Sequence, residues 1–279
     1  MAILGAIVGS FAGAQVWRLR ARQLVEDKAR GEKVAAAELK RLKPLITSMR
    51  HDRSRCLSCR HELAWYDLIP VLSWVWLRGK CRYCQEFIGW PEVLLEVGLA
   101  AVFAISAWLW QDWSLVGAVQ FGLYLVALGM LAMLFVYDAR WFLLPDVIMW
   151  PLVAVAAVYA GISLMQSSDM VAALWSLGGA AIILSGLYGA LYVISRGAWI
   201  GFGDVKLGLA LALLLGQWPL AFMALFAANL IGTALVVPGM LTGALQRNAK
   251  IPFGPLLIVG FLLVQWWGHA MIQWIGILP

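Results

Sequence analysis

Charged residues are scarce in this sequence. Only 13 % of its 279 residues are Asp, Glu, Lys or Arg, whereas 63 % are hydrophobic. Soluble domains have roughly 25 % charged and about 45–50 % apolar residues, so the composition excludes an ordinary soluble globular domain. It also excludes an intrinsically disordered chain, which needs low hydrophobicity and high charge. We therefore predict a protein that crosses a membrane several times.

Cysteine and histidine are also few, with four and three residues respectively. Four cysteines do not suffice for a secreted scaffold held together by disulfides. The sequence has no His-Glu-x-x-His motif and no phosphate-binding loop. A secretory signal peptide is not expected either, because the basic residues follow the uncharged stretch 1–17 instead of preceding it.

Eight apolar stretches approach or exceed the length of about 20 residues that a spanning helix needs. They cover residues 1–17, 92–110, 115–137, 147–165, 170–194, 205–218, 219–243 and 254–276. The boundary between the sixth and the seventh rests only on Gly216, Gln217 and Pro219 as helix breakers. We predict an all-α polytopic membrane protein with about eight transmembrane helices. In the first stretch, glycines recur at every fourth residue from Gly5 to Gly13, a spacing that allows close helix packing.

The basic residues are concentrated in one segment. Residues 18–90 contain 16 of the 21 Lys and Arg residues. We divide the chain into a first transmembrane helix (1–17), a basic insert (18–90) and a seven-helix membrane domain (91–279). Alternating the spans places every Lys and Arg on one side of the membrane, which predicts an outside N-terminus and a cytoplasmic insert. This positive-inside bias accounts for the charge, so no nucleic-acid partner is expected.

The insert contains two Cys-x-x-Cys pairs: Cys56 and Cys59, and Cys81 and Cys84. Two thiolates three residues apart can bind one ion, and two such pairs supply the tetrahedral site of a zinc ribbon. We predict that all four bind one structural Zn²⁺ ion in a zinc-ribbon-like insert. Disulfides and redox-active dithiols are the alternatives, and a reducing cytoplasm disfavours disulfides. His51 and His61 lie nearby as substitute ligands.

Acidic residues at the ends of the spans are the candidates for chemistry, because placing one in a membrane costs about 2.5–3.5 kcal/mol. Asp138 ends the third span, and Asp204 follows the glycines of Gly201-Phe-Gly203-Asp204. We expect these glycines to let the chain bend and approach a ligand closely. Asp146 follows Pro145 and is expected to cap the fourth span.

Two carboxylates brought together share one proton, because both cannot ionise side by side. One carboxylate can then activate water while its partner protonates a peptide carbonyl, which is peptide hydrolysis. The residues alone leave two alternatives open, a transporter with intramembrane acids and structural capping. Glu92 and Glu96, one helical turn apart at the start of the second span, are assigned to packing or substrate orientation.

A series of motifs resembles the bacterial type IV prepilin peptidases over nearly the whole chain outside residues 20–50. The motifs are Gly9-Ser-Phe11, Ser54-Arg-Cys56-Leu-Ser-Cys59, Trp65-Tyr-Asp67-Leu-Ile-Pro70, Leu72-Ser-Trp74, Leu77-Arg-Gly-Lys-Cys81-Arg-Tyr-Cys84, Glu92 with Glu96, Asp138 with Leu144-Pro-Asp146, Gly201-Phe-Gly-Asp204-Val-Lys-Leu207 and Ile251-Pro-Phe-Gly-Pro255. The resemblance implies an eight-span aspartic endopeptidase with Asp138 and Asp204 as its catalytic pair. Asp146 matches the family pattern but not a catalytic position.

The resemblance also implies the substrates, which are prepilins and pseudopilins that lose a basic leader on the cytoplasmic side of the bacterial inner membrane. Many family members then methylate the new N-terminus with S-adenosylmethionine, an activity associated with the insert. The family often has Asn or Pro where this chain has 12–14, Leu57 and Leu68, which bears on methylation more than on proteolysis. A protease without methyltransferase activity and a non-catalytic scaffold or transporter are therefore the alternatives.

A second family, that of signal peptide peptidase and presenilin, also resembles this chain at Tyr137-Asp138 and at the Gly-x-Gly-Asp motif. Those proteins have a Pro-Ala-Leu element, which is absent here, and they lack a cysteine insert. The prepilin peptidase resemblance therefore takes precedence. The sequence does not indicate the pocket for S-adenosylmethionine or the oligomeric state.

Overall fold

The computed structural model describes residues 1–46, 53–243 and 251–275. Within these ranges the regular elements are helices, and the β pairings are two isolated bridges. The chain forms two compact units, Met1–Trp108 and Leu109–Pro279. The prediction of an all-α protein is confirmed.

Unit 1 contains the first four α-helices. They are α1 (Ala2–Ala29), α2 (Ala36–Leu42), α3 (Leu72–Trp76) and α4 (Trp90–Leu109), with short 3₁₀ turns at Lys43–Leu45 and Trp65–Leu68. Unit 2 contains α5 (Leu115–Trp141), α6 (Asp146–Gln166), α7 (Met170–Ala181), α8 (Leu187–Ser195), α9 (Phe202–Leu215), α10 (Trp218–Leu241) and α11 (Phe253–Ile275). A π-helical segment, Ile182–Gly186, joins α7 to α8 without a break.

Helix α1 continues well past Trp17, where the uncharged stretch ends. Residues 18–29 contain no glycine or proline and consist largely of good helix formers. The extension also has an apolar side, because Ala21 and Leu24 are buried against Leu39 and Leu42 of α2. The charged start of the insert is therefore a helix with its own small core.

The glycines of α1 bring this helix against α4. A Cβ atom on Gly5 would lie 2.5 Å from the carbonyl oxygen of Leu99, and one on Gly9 would lie 2.8 Å from the Cα atom of Glu96. At Gly13 a Cβ atom would meet only the Leu95 side chain, at 3.6 Å. The predicted close packing is confirmed for the first two glycines, where a larger residue would meet backbone atoms.

Seven helical segments of the described chain are long and apolar enough to cross a membrane. They are α1, α4, α5, α6, the combined segment Met170–Ser195, α10 and α11. The predicted span at 205–218 corresponds to α9, which has 14 residues and is about 21 Å long, less than the hydrocarbon thickness of about 30 Å. Helix α9 packs against α6, α7, α10 and α11. Its apolar surface is buried on nearly all sides, as expected for the central helix of a bundle.

Helix α9 comes very close to the backbone of the π-helical segment. A Cβ atom on Gly208 would lie 2.2 Å from the carbonyl oxygen of Leu184, and the hydroxyl of Ser185 donates to the carbonyl oxygen of Val205 at 2.9 Å. Such a bulge adds one residue to the helix and rotates all later residues by about 100° around its axis. The direction in which α8 presents its side chains therefore depends on this segment.

Candidate active site

Asp138 lies in the last turn of α5 and is 6 % exposed. Its Oδ2 atom accepts a hydrogen bond from the backbone N–H of Gly254, at a distance of 3.0 Å. Gly254 is the second residue of α11, and the first N–H groups of a helix have no partner within that helix. The amino end of α11, with its partial positive charge, therefore holds the Asp138 carboxylate in place.

Gly254 also fits this place because it has no side chain. A Cβ atom there would lie 2.7 Å from Oδ2 of Asp138. Gly254 belongs to the motif Ile251-Pro-Phe-Gly-Pro255, for which the sequence predicted no role. The pattern that could have indicated the role of Gly254 is a glycine directly after the first residue of an apolar helix.

Asp204 is the third residue of α9, after the N-cap Gly201. Its carboxylate lies beside the backbone of Gly201, where a Cβ atom would lie 3.6 Å from Oδ2 of Asp204. Neither glycine has a backbone conformation that only glycine adopts, because Gly201 is extended (φ −75°, ψ 148°) and Gly203 is helical; their close approach to a ligand stays a prediction. Gly203 is instead required by close packing, since a Cβ atom there would lie 2.9 Å from the Cβ atom of Leu144.

The structure brings Asp138 and Asp204 together in unit 2, although α5 and α9 are distant in the chain. The two carboxylates are near enough for the charge of Asp138 to act on Asp204. Each also lies beside a glycine at the amino end of a helix, Asp138 beside Gly254 and Asp204 beside Gly201. Two acids whose charges interact disfavour being ionised together, so the pair is suited to carry a single proton, as acid–base catalysis by a carboxyl pair requires.

Asp146 is the first residue of α6 and not its N-cap, which is Pro145. Its carboxylate forms an ion pair with the ammonium group of Lys206. The same ammonium group lies 5.7 Å from the ring centroid of Trp150 and 5.3 Å from that of Phe202. The ion pair joins α6 to the first turns of α9, so Asp146 has a structural partner.

The four cysteines of unit 1 form one cluster, in which the sulfur atoms all lie within 4.8 Å of one another. Four sulfurs bound tetrahedrally at 2.3 Å from one ion would be about 3.8 Å apart. The Sγ atoms of Cys56 and Cys84 are 3.8 Å apart. The cluster can therefore bind a metal ion.

Each Cys-x-x-Cys pair lies in a tight turn of the same construction. The N–H of Cys56 donates to the carbonyl of His61, and the N–H of Cys81 donates to that of Glu86, at 3.0 and 2.9 Å. Arg60 and Gln85 follow the second cysteine of each pair and have φ angles of 63° and 60°. The two turns thus present their thiols in the same way, as the halves of a zinc ribbon do.

The thiols differ in acidity. Burial raises the pKa of Cys56, but hydrogen bonds from the backbone of Cys59 and Ser58 and from neighbouring thiols lower it to about 7. For Cys84, a backbone hydrogen bond at Glu86 lowers the pKa, but burial and hydrogen bonds among the thiols raise it to about 12. Of the two histidines considered as ligands, His61 packs on the Tyr83 ring at 3.7 Å, and His51 lies outside the described residues.

Asp67 ties the second cysteine turn to the 3₁₀ turn Trp65–Leu68. Its side chain is 3 % exposed and accepts hydrogen bonds from Nε of Arg82 at 2.8 Å and from the Tyr83 hydroxyl at 3.2 Å. Burial and this hydrogen bond raise the pKa of Tyr83 to about 12. Asp67 therefore has a role in holding the insert together.

Unit 1 also contains a partly open cavity of about 240 Å³ between α1, the start of α4 and the cysteine turns. Trp17, Trp74, Arg18, Glu92 and Glu96 are among the residues that line it. The two glutamates are held in place, since Glu92 accepts the indole N–H of Trp17 at 3.3 Å and Glu96 accepts the N–H of Val71 at 2.7 Å. The cavity combines carboxylates, a guanidinium group and indole rings, so it suits a small ligand that carries charges of both signs.

Comparison with known proteins gives two family matches. The description "Bacterial Peptidase A24 N-terminal domain" matches residues 3–110, and "Type IV leader peptidase family" matches residues 125–237. A relative from Aeromonas hydrophila named prepilin leader peptidase/N-methyltransferase is 32 % identical, over 80 % of this chain and 74 % of its own length.

For two further relatives with the same name, the match extends over more of this chain and over more of the relative. The protein from Dickeya chrysanthemi is 31 % identical over 92 % of this chain and 88 % of its own length. The protein from Vibrio cholerae is 27 % identical over 94 % of this chain and 93 % of its own length. No solved structure matches the chain.

Proposed function

The chain belongs to the type IV leader peptidase family, and from this membership we propose that it is a membrane-bound aspartic endopeptidase for prepilins and pseudopilins. It removes the short basic leader that precedes the apolar helix of these substrates. It then methylates the new N-terminal residue with S-adenosylmethionine. The names of the relatives, which combine both activities, support this assignment.

The meeting of Asp138 and Asp204 supports the protease activity most strongly. The two acids come from separate helices that are otherwise largely apolar, and their charges interact. An ionisable group in such surroundings is costly to maintain. Two of them in one place are therefore best explained by a reaction that needs both.

In the proposed reaction the pair carries a single proton. The ionised carboxylate takes a proton from a water molecule as the water oxygen attacks the carbonyl carbon of the scissile bond. The protonated carboxyl gives its proton to the carbonyl oxygen, which yields a tetrahedral intermediate. When the C–N bond breaks, the pair returns one proton to the leaving amine and takes one from the intermediate, so its starting state is restored.

We place the site at the cytoplasmic edge of the bacterial inner membrane, with the N-terminus outside. Arg140 follows Asp138 by two residues and Lys206 follows Asp204 by two residues. Basic residues at the ends of spans favour the cytoplasmic side. A basic leader would remain on that side, while the apolar helix that follows it lies in the bilayer.

We assign Zn²⁺ to the cluster of Cys56, Cys59, Cys81 and Cys84. Four thiolate donors at tetrahedral spacing suit zinc, and a site with four protein ligands has no open position for a reacting molecule. The ion therefore stabilises the insert and takes no part in hydrolysis.

The cavity in unit 1 fits S-adenosylmethionine, which supplies the methyl group when bound and has a sulfonium cation, a purine and an amino-acid end. Glu92 and Glu96 complement the positive charges of this molecule. Trp17 and Trp74 offer indole faces to a cation or a purine, and Arg18 complements a carboxylate. These five residues would therefore hold the methyl donor.

A protease without methyltransferase activity is the second candidate, and one observation favours it. Ala14, Leu57 and Leu68, where the chain departs from the pattern of the prepilin peptidases, all line this cavity. The departures therefore affect the methyl-donor cavity, whereas the carboxyl pair is retained.

The test is co-expression with a candidate prepilin, with leader removal and methylation measured together by mass spectrometry. Asp138→Asn and Asp204→Asn are each expected to lower cleavage at least about a thousandfold, because an amide can neither accept nor donate the required proton. Asp169→Asn is the control, since Asp169 caps α7 with its Oδ1 atom and Asn caps equally well.

Continued cleavage by either catalytic-pair variant would refute the mechanism. A mature product without a methyl group, obtained from the native chain, would select the second candidate.

A further inference from the structure

Tyr188 is a buried side chain whose hydroxyl has no hydrogen-bond partner in the part of the chain that the structure describes. The residue lies in the first turn of α8 and is 4 % exposed. Buried hydroxyl groups are nearly always hydrogen-bonded, and one without a partner costs free energy. A ligand that binds beside such a donor can complete its hydrogen bond.

Tyr188 lies beside residues that are next to both carboxylates in the structure or in the chain. Its ring contacts that of Phe253 edge to face, with centroids 5.5 Å apart, and the next residue, Gly254, holds Asp138. On the other side, a Cβ atom on Gly189 would lie 3.7 Å from Val205, the residue after Asp204. Asp204 is also near enough for its charge to act on the Tyr188 phenol.

The π-helical segment Ile182–Gly186 sets the direction of this side chain. It ends one residue before α8 begins, and Ser185 within it is bonded to the backbone of Val205 in α9. Without the additional residue, Tyr188 would be rotated by about 100° around the helix axis, away from its present neighbours. Such bulges frequently occur at functional sites.

We propose that Tyr188 is a third catalytic residue, whose hydroxyl donates a hydrogen bond to the carbonyl oxygen of the scissile peptide bond. This inference rests on the proposed function. The hydroxyl keeps its proton throughout, while the proton that the carbonyl oxygen gains comes from the carboxyl pair. The hydrogen bond strengthens as negative charge develops on that oxygen, so it lowers the barrier more than it tightens substrate binding.

The test is Tyr188→Phe, which removes one oxygen atom and keeps the ring. We expect kcat for leader cleavage to fall about 10- to 100-fold, with KM changed less than about twofold. Thermal stability of the substrate-free protein should not fall, because the lost hydroxyl had no partner. Tyr124→Phe is the matched control, since Tyr124 is equally buried at 2 % exposed but lies about 21 Å before Asp138 along α5.

An unchanged kcat in Tyr188→Phe would overturn the inference, and so would a higher KM at constant kcat. A lower melting temperature with constant kcat would show that the hydroxyl has a structural partner and would overturn it as well. Asp204→Asn, measured in parallel, distinguishes a failure of the proposed function from a failure of the role of Tyr188. If it still cleaves, the proposed function itself fails; if it is inactive while Tyr188→Phe is fully active, only the role of Tyr188 is rejected.

Discussion

At the residue scale, Gly254 has two separate roles beside Asp138. It supplies the N–H that holds Asp138 and leaves the space that the carboxylate occupies. A displacement of about 1 Å at a reacting group can reduce a rate about 100-fold. The position of the Asp138 carboxylate therefore depends on a glycine as well as on α5.

We predict that Gly254→Ala lowers kcat for leader cleavage about 100-fold, because the added methyl group would lie 2.7 Å from Oδ2 of Asp138. The measurement is the cleavage rate of purified protein in detergent with a prepilin. Gly122→Ala in α5 is the control, since a Cβ atom there would have open space around it. Full activity of the Gly254 variant would contradict the role of this glycine.

Sequence alone identified Asp138 and Asp204 as candidates, because acids at the ends of apolar stretches are rare and can be found without any knowledge of packing. It assigned no role to Gly254 and did not single out Tyr188. The role of Gly254 arises from the contact between α5 and α11, and that of Tyr188 from a missing partner. Neither the contact nor the missing partner can be recognised from the sequence of a single segment, because both depend on how distant segments pack.

At the element scale, the close contact between α1 and α4 rests on glycines. We predict that Gly5→Ala destabilises the protein by about 1–3 kcal/mol, because its new Cβ atom would lie 2.5 Å from a backbone oxygen of Leu99. The measurement is thermal unfolding in detergent. Gly13→Ala makes the same chemical change where only a movable side chain is near, so it should be neutral or slightly stabilising. Equal effects of the two substitutions would refute this explanation.

The apolar stretches predicted most of the long helices, and the differences have separate physical causes. Helix α1 extends beyond its uncharged stretch because helix propensity and the α2 contact continue where hydropathy ends. The π-helical segment could not be predicted, since it accompanies the approach of Gly208 to the backbone of Leu184. Hydropathy describes the solvent around a segment, and these features depend on its protein neighbours.

At the scale of the whole molecule, the chemistry is distributed over two compact units. The carboxyl pair belongs to unit 2, whereas the cysteine cluster and the cavity belong to unit 1. Cys56 and Cys81 line the cavity and are also part of the cluster. A change at the cluster should therefore disturb this cavity before it disturbs the carboxyl pair.

We predict that Cys81→Ser lowers the zinc content from about one ion per chain to none and abolishes S-adenosylmethionine binding, while leader cleavage falls less than methylation. The measurements are elemental analysis, calorimetry with S-adenosylmethionine and the cleavage assay on the same preparation. Ser58→Ala, a change of similar size between the ligands Cys56 and Cys59, is the control and should retain the ion. Native protein without zinc and with four titratable thiols would contradict this assignment.

The shortness of α9 has a consequence for how water enters. A rod of about 21 Å cannot reach both faces of a hydrocarbon layer of about 30 Å, so polar backbone at one of its ends must lie below the lipid headgroups. Such backbone is tolerated there only against protein or in a hydrated recess. The amino end of α9 carries Asp204, so a recess at this end would supply the co-substrate of hydrolysis without any helix having to unwind.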